Sequence, residues 1–225
     1  MTIPEHWQDA TQRETPPTGE NIEFQFGGTL LRIGRLEGGI HYHRHAASFE
    51  LAVPRQLPTR PVATSELDLQ ARDELDAMAG EQERAIVALL RGPQRVANAV
   101  ALDWTHANSG RYDHGQLYAD LAGDAPEPEA PGEVLGGWLE ALGLAPAQIP
   151  HEQGERASLF RSVTAGRRIA VLLANAFSAA QVRPLLPNSK DSVTLITSRG
   201  LLGGLLMDGA RRIDVGDADS VGAAR

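Results

Sequence analysis

The chain has 225 residues, enough for one main globular domain with a small appendage. Its 21 Lys and Arg against 29 Asp and Glu give a formal charge of −8, which argues against nucleic acid or an anionic membrane as the general partner, since both call for a cationic footprint. The absence of cysteine excludes a disulfide framework, a thiolate nucleophile and a thiolate zinc site, and no apolar run approaches the ~18–20 residues of a spanning helix, so a cytoplasmic location without membrane contact is expected.

Residues 1–20 are polar, hold three prolines and show no period, and with 220–225 they read as tails. Ile22, Phe24 and Phe26 then alternate with polar residues. Gly27-Gly28 makes a break, Leu30, Ile33 and Leu36 follow, and Ile40 and Tyr42 resume the alternation. Short runs punctuated by glycine predict a small β leader over 21–50. Such a piece cannot bury two sheet faces alone, so it is expected to pack on the main domain or on a copy of itself, which makes 21–50 a candidate homo-oligomer contact. Three prolines in 51–62 mark a linker.

From 63 to 219 strands and helices alternate. The pattern predicts a helix over about 65–80, a strand over 85–90, a helix over 96–107 and a strand over 116–121. An acidic, proline-rich loop spans 122–132. Helices are predicted over 134–142 and 155–165, the second ending at Gly166, followed by a strand over 169–173, a helix over 179–186 and a strand over 193–197. Ile213 to Val215 makes a candidate fifth strand. The implied architecture is a three-layer α/β domain with a parallel sheet and helices on both faces.

Ligands in such a sheet bind beyond the carboxyl ends of the strands, so the connection after the first strand matters most. It reads Arg91-Gly92-Pro93-Gln94-Arg95-Val96-Ala97-Asn98-Ala99. Counted from Gly92 against the phosphate-loop pattern G-x-x-x-x-G-K-[ST], the second glycine falls at Ala97, the lysine at Asn98 and the hydroxyl residue at Ala99. Asn98 carries no charge for the β- and γ-phosphates, and Ala99 has no oxygen for magnesium. Ala97 adds a Cβ, and Pro93 removes an amide donor. Arg95 offers a charge from an unusual position.

Longer stretches resemble the nucleotide-binding domain of bacterial STAND regulators of the NB-ARC type, signal-transduction P-loop ATPases that include the AfsR-like regulators. His114 to Leu121 (HGQLYADL), Leu135 to Pro150 (LGGWLEALGLAPAQIP), Arg156 to Leu173 (RASLFRSVTAGRRIAVLL), Ala180 to Pro187 (AQVRPLLP) and Leu195 to Arg199 (LITSR) carry the likeness. Upstream, VPRQLP over 53–58 and GRLEGGIHYHRH over 34–45 are similar to the linker and leader of that group. The resemblance implies a P-loop NTPase-like fold, ADP or ATP as ligand, and Arg199 as the arginine that senses phosphate. It also implies an aspartate for magnesium at position 174, which is Ala174, and a Phe-x-Gly-Arg motif near 62–66, where the residues are Val62 to Glu66. Family members continue into helical, winged-helix and repeat domains at about the point where this sequence stops.

With its nucleotide-contacting elements altered and the strands between them kept, the expectation is a pseudo-NTPase. It would be a non-catalytic regulatory or assembly module without a required cofactor, acting on a protein partner such as a full-length STAND relative. The alternative is a residual ADP/ATP switch without efficient hydrolysis, using Gly92, Arg95 and Arg199. A second alternative is a metal module on His41, His43 and His45, which alternate on one strand face, with His6 or Glu37 in support; a strand pair alone falls short of the usual ligand count. Asp103, His106, Asp113 and His114 suggest acid–base chemistry, but no nucleophile elbow accompanies them. Asp103 and His106, three apart on a helix, are expected as a surface pair. Trp104 and Trp138 are expected as core or interface anchors.

Overall fold

The apolar runs become strands buried on both faces in the computed structural model, which describes residues 51–61, 68–80, 85–123 and 128–216 together with the backbone of 22–26 and 29–33. The chain divides into two units, Met1–Ser48 and Phe49–Arg225. In the first, β1 (Ile22–Phe26) pairs antiparallel with β2 (Thr29–Ile33), Ile22 opposite Ile33 and Phe26 opposite Thr29. The alternation around Leu36, Ile40 and Tyr42, the three histidines, and the segment 62–66 lie outside the described residues.

The second unit runs α1 (Asp68–Gly80), β3 (Ile86–Arg91), α2 (Gln94–Ala107), β4 (Gly115–Asp120), α3 (Pro131–Ala141) and α4 (Gln153–Thr164). It continues with β5 (Ile169–Ala174), α5 (Ala179–Val182), β6 (Val193–Ser198), α6 (Gly203–Met207) and β7 (Arg211–Asp214). The sheet is parallel, in the order β4-β5-β6-β3-β7. Strand parity divides the core. Ile86, Ala88, Leu90, Ala170 and Leu172 pack with α1 and α2, while Leu89, Ile169, Val171 and Leu173 pack with Leu135, Leu139 and Phe160 of α3 and α4. Burial on both faces is why these strands read as unbroken apolar runs, and the expected three-layer α/β architecture is present.

Boundaries move where proline and glycine dictate. Helix α3 starts at Pro131, inside the predicted loop, because a proline at the first helical position loses no hydrogen bond. The helix predicted to reach 186 stops at Val182 and tightens into a 3₁₀ turn over Arg183–Leu185, where Pro184 has no amide to continue the ladder. Gly166 takes φ +69 just past α4. Helix α6 carries no amphipathic signal in its five residues, two of them glycine.

Residues 51–61 form a strap on the α/β unit. Gln116 N–H donates to Pro54 O at 2.8 Å, Gln56 N–H donates to Gln116 O at 3.0 Å, and Ala52 N–H donates to Leu142 O at 2.9 Å. Arg55 donates to Gln116 Oε1 at 2.9 Å. Gly115 makes the seating sterically feasible: with φ +141, a Cβ there would stand 2.6 Å from Pro54 Cδ.

The other end of the strap is held by α2, and here one expectation is corrected. Asp103 is not the exposed partner of His106. It is 4% exposed and lies between Arg60 Nε at 2.6 Å and the Arg72 guanidinium. His106 Nε2–H donates instead to Pro58 O at 2.8 Å. Helix α2 turns this face toward the strap and α1, so two residues three apart meet two other segments and not each other. Trp104 and Trp138 are buried, their indole N–H groups donating to Asp76 Oδ1 at 2.8 Å and Tyr118 O at 3.1 Å. Asp103→Ala removes a buried anion between two cations and is expected to lower the unfolding free energy by about 3 kcal/mol in urea titration; a change within experimental error would show that the strap is held without this ion pair.

Candidate functional site

Strand order reverses at β3. From β3 the chain crosses to β4 at the far edge, returns through β5 and β6, and places β7 on the other side of β3. The carboxyl ends of β3, β5 and β6 therefore frame the position where an open parallel sheet receives a ligand.

The connection from β3 to α2 is two residues long, Gly92 and Pro93. Gly92 N–H donates to Ser198 O at 3.3 Å, and the Val96 and Ala97 N–H groups turn back to Pro93 O at 2.9 and 3.0 Å. These amides are thus spent on the chain itself. Gly92 also has a packing role. Its φ is +158, and a Cβ would stand 2.0 Å from Val215 O, where the chain leaving β7 donates Val215 N–H to Arg91 O at 2.8 Å. Arg95, Ala97, Asn98 and Ala99 all lie within α2: Arg95 exposed, Ala97 fully buried, Asn98 and Ala99 half-buried. Ala174 ends β5, buried, and Arg199 is exposed just beyond β6.

The polar residues at these strand ends form a closed circuit, although sequence reading singled out only Asn98 among them. Asn175 N–H donates to Thr197 Oγ1 at 2.9 Å, and Thr197 Oγ1 lies 2.5 Å from Asn98 Oδ1. Asn98 Nδ2 is 3.0 Å from Asn175 Oδ1, and Asn175 Nδ2 is 2.7 Å from Asp120 Oδ1. Chemistry fixes every direction. A carboxylate oxygen only accepts, so Asn175 must turn its NH₂ to Asp120. Asn175 Oδ1 then accepts from Asn98, whose own oxygen accepts the Thr197 hydroxyl proton. Asn175 sits at φ +60, a left-handed conformation that asparagine tolerates better than most residues. The one advance signal for Asn175 is a polar residue directly after an apolar strand; Thr197 and Asp120 gave none.

Beside the circuit opens a cleft of about 230 Å³ lined by Gln94, Asn175, Ala176, Phe177, Ser198, Arg199 and Gly200. That is below the ~300–1,000 Å³ usual for small-molecule sites. Set against the expected phosphate-loop pattern, the donor set does not fit a magnesium nucleotide: Asn98 is uncharged and hydrogen-bonded on both sides, Ala99 and Ala174 offer no side-chain metal ligand, and the Gly92 amide is already donated.

The acid–base candidates lie elsewhere. Asp113 and His114 precede β4 at the opposite end of the strands. Asp113 is bound two-pronged by Arg168, at 2.9 and 2.5 Å, which lowers its carboxyl pKa below the ordinary 3.8. His114 Nδ1 accepts the Arg168 backbone N–H at 3.1 Å. Among the described residues, no group of three His, Asp or Glu side chains could hold a metal ion.

Over 131 residues the chain is 44% identical to the regulatory protein AfsR of Streptomyces coelicolor, matching 56% of this chain and 13% of that protein. A second, from Streptomyces griseus, is 46% identical over 100 residues, or 44% of this chain and 10% of the relative. Both of these relatives are AfsR regulatory proteins. The matches thus span about a tenth of the length of these AfsR proteins. No protein-family profile matches the chain.

Two outcomes follow from the geometry. Gly92→Ala should destabilise the fold by roughly 2 kcal/mol or more, read by thermal unfolding without added ligand, because the clash is with Val215; an unaffected melting curve would return Gly92 to a role in ligand approach. The Asp113–Arg168 pair depresses a folded-state pKa, so its contribution is present above the ordinary carboxylate value and fades as the pH falls through the lowered one. The melting temperatures of Asp113→Asn and the parent chain should differ at neutral pH and converge as the pH drops below 3.8.

Proposed function

We propose that the chain is a non-catalytic regulatory module on a STAND-type, NB-ARC-like scaffold, a pseudo-NTPase that works through contact with a protein partner such as a full-length AfsR-like relative. One observation carries the reading: the residue in the lysine position, Asn98, is tied into the chain's own hydrogen bonds, and no carboxylate stands at position 174. Electrostatic stabilisation of phosphoryl transfer needs a fixed cation and a metal ligand at those places. Likeness to AfsR regulatory proteins supports the regulatory side of the proposal. The reading places the module in the cytoplasm; among the described residues, no helix is long and apolar enough to cross a membrane. The antiparallel β1–β2 pair of the leader is its proposed self-association element.

A second reading, a residual ADP/ATP switch using Gly92, Arg95 and Arg199, draws on the cleft near the start of α2 that Arg199 lines. One experiment separates the two. Protein purified without added nucleotide is heat-denatured and the supernatant assayed for adenine nucleotide, alongside melting curves with Mg-ATP and with ADP. The pseudo-NTPase reading expects neither released nucleotide nor a shift. Near-stoichiometric ADP, or the stabilisation of about 2.7 kcal/mol that a ligand gives at 100 times its Kd, would replace it with the switch.

A further inference from the structure

We infer that the Thr197–Asn98–Asn175–Asp120 circuit is a built-in latch that sets the conformation of the β5–α5 turn from within the chain, with Asn98 as its positioning residue. The inference deepens the proposed function, and rests on it only in that no nucleotide competes for Asn98.

Each member belongs to a different element. Asn98 lies in the second turn of α2, Thr197 near the end of β6, Asn175 directly after β5 and Asp120 at the end of β4. Their hydrogen bonds, from 2.5 to 3.0 Å, span 22 to 99 residues of sequence. The circuit therefore cross-links α2 to three strand ends at the switch point. Thr197 is 1% exposed, so its hydroxyl cannot trade this bond for bulk water without the turn opening. The chain of donors ends on a carboxylate, and a charge-assisted bond there strengthens the links behind it.

The latch acts on a turn that needs holding. Asn175 takes the left-handed conformation, and its backbone is gripped on both sides: its N–H by Thr197 Oγ1, its C=O by Gly123 N–H at 2.9 Å. Ala176 N–H follows onto Thr197 O at 2.9 Å, and Phe177 N–H onto Gln181 Oε1 at 3.3 Å. Through this run Phe177 is left 54% exposed beside the cleft. The circuit fixes the relative position of these strand ends through side chains of the chain itself. Every donor and acceptor that defines the ring is matched, so a cation or phosphate entering it would have to break a bond already made.

Hydrogen exchange of the full chain tests this. In Asn98→Ala, exchange at Asn175, Ala176 and Phe177 should quicken about tenfold, as for loss of one hydrogen bond's protection, with exchange at His114, Gly115 and Ile169 unchanged. Thr197→Val, which keeps shape and removes the hydroxyl, should act on the same three amides and serves if the first variant does not fold. Unchanged exchange in the turn, or an equal rise at both ends of the strands, overturns the latch. Repeating the measurement with ADP keeps the two proposals distinct. Slower exchange in the parent chain on adding ADP refutes the pseudo-NTPase reading, while the response to Asn98→Ala still decides the latch.

Discussion

Helix α2 is held against the sheet by its buried face of Ala97, Val100, Ala101 and Trp104, and the Asn98 carboxamide ties it to two strand ends. A lysine there would project a charge toward a ligand. Asparagine is shorter and both donates and accepts, so it turns to its neighbours: Thr197 on one side and Asn175 on the other. The two-residue connection from β3 belongs to the same arrangement. The connection abuts the chain leaving β7 through Gly92 and Val215, and the switch point closes by packing.

Much of the architecture is legible in the sequence because of how parallel sheets are buried. Runs such as Ile169 to Ala174 lose water on both faces, so they must be apolar throughout, and the stretches between them must supply the covering helices. Ends were less legible, since they depend on a single proline at 131 or 184, or on glycines at 203 and 204 that suppress any helical signal. At 51–61 the extended backbone that prolines impose suits both a linker and a strap that pairs with a sheet edge, and Gly115 with its missing Cβ permits the close approach.

Local pattern singles out some residues at the strand ends and not the bonds between them. Asn98, Ala99 and Ala174 are conspicuous against a phosphate-loop pattern, whereas the circuit that Asn98 enters joins residues 77 and 99 positions apart and has no local signature. Asp103 is the same case. Spacing pairs it with His106, and only the fold delivers Arg60 and Arg72 to bury it. Polar residues are the hardest to assign from sequence because their partners are chosen by topology, while an apolar side chain needs only to leave water.

Helix α2 is gripped at two places. Asp103 and His106 hold the strap near one end, and Asn98 meets the strand ends at the other, five residues away from Asp103, or about 7.5 Å along the axis. A helix this short is stiff on that scale. The strap and the turn that carries Phe177 thus share one stiff element as a common anchor.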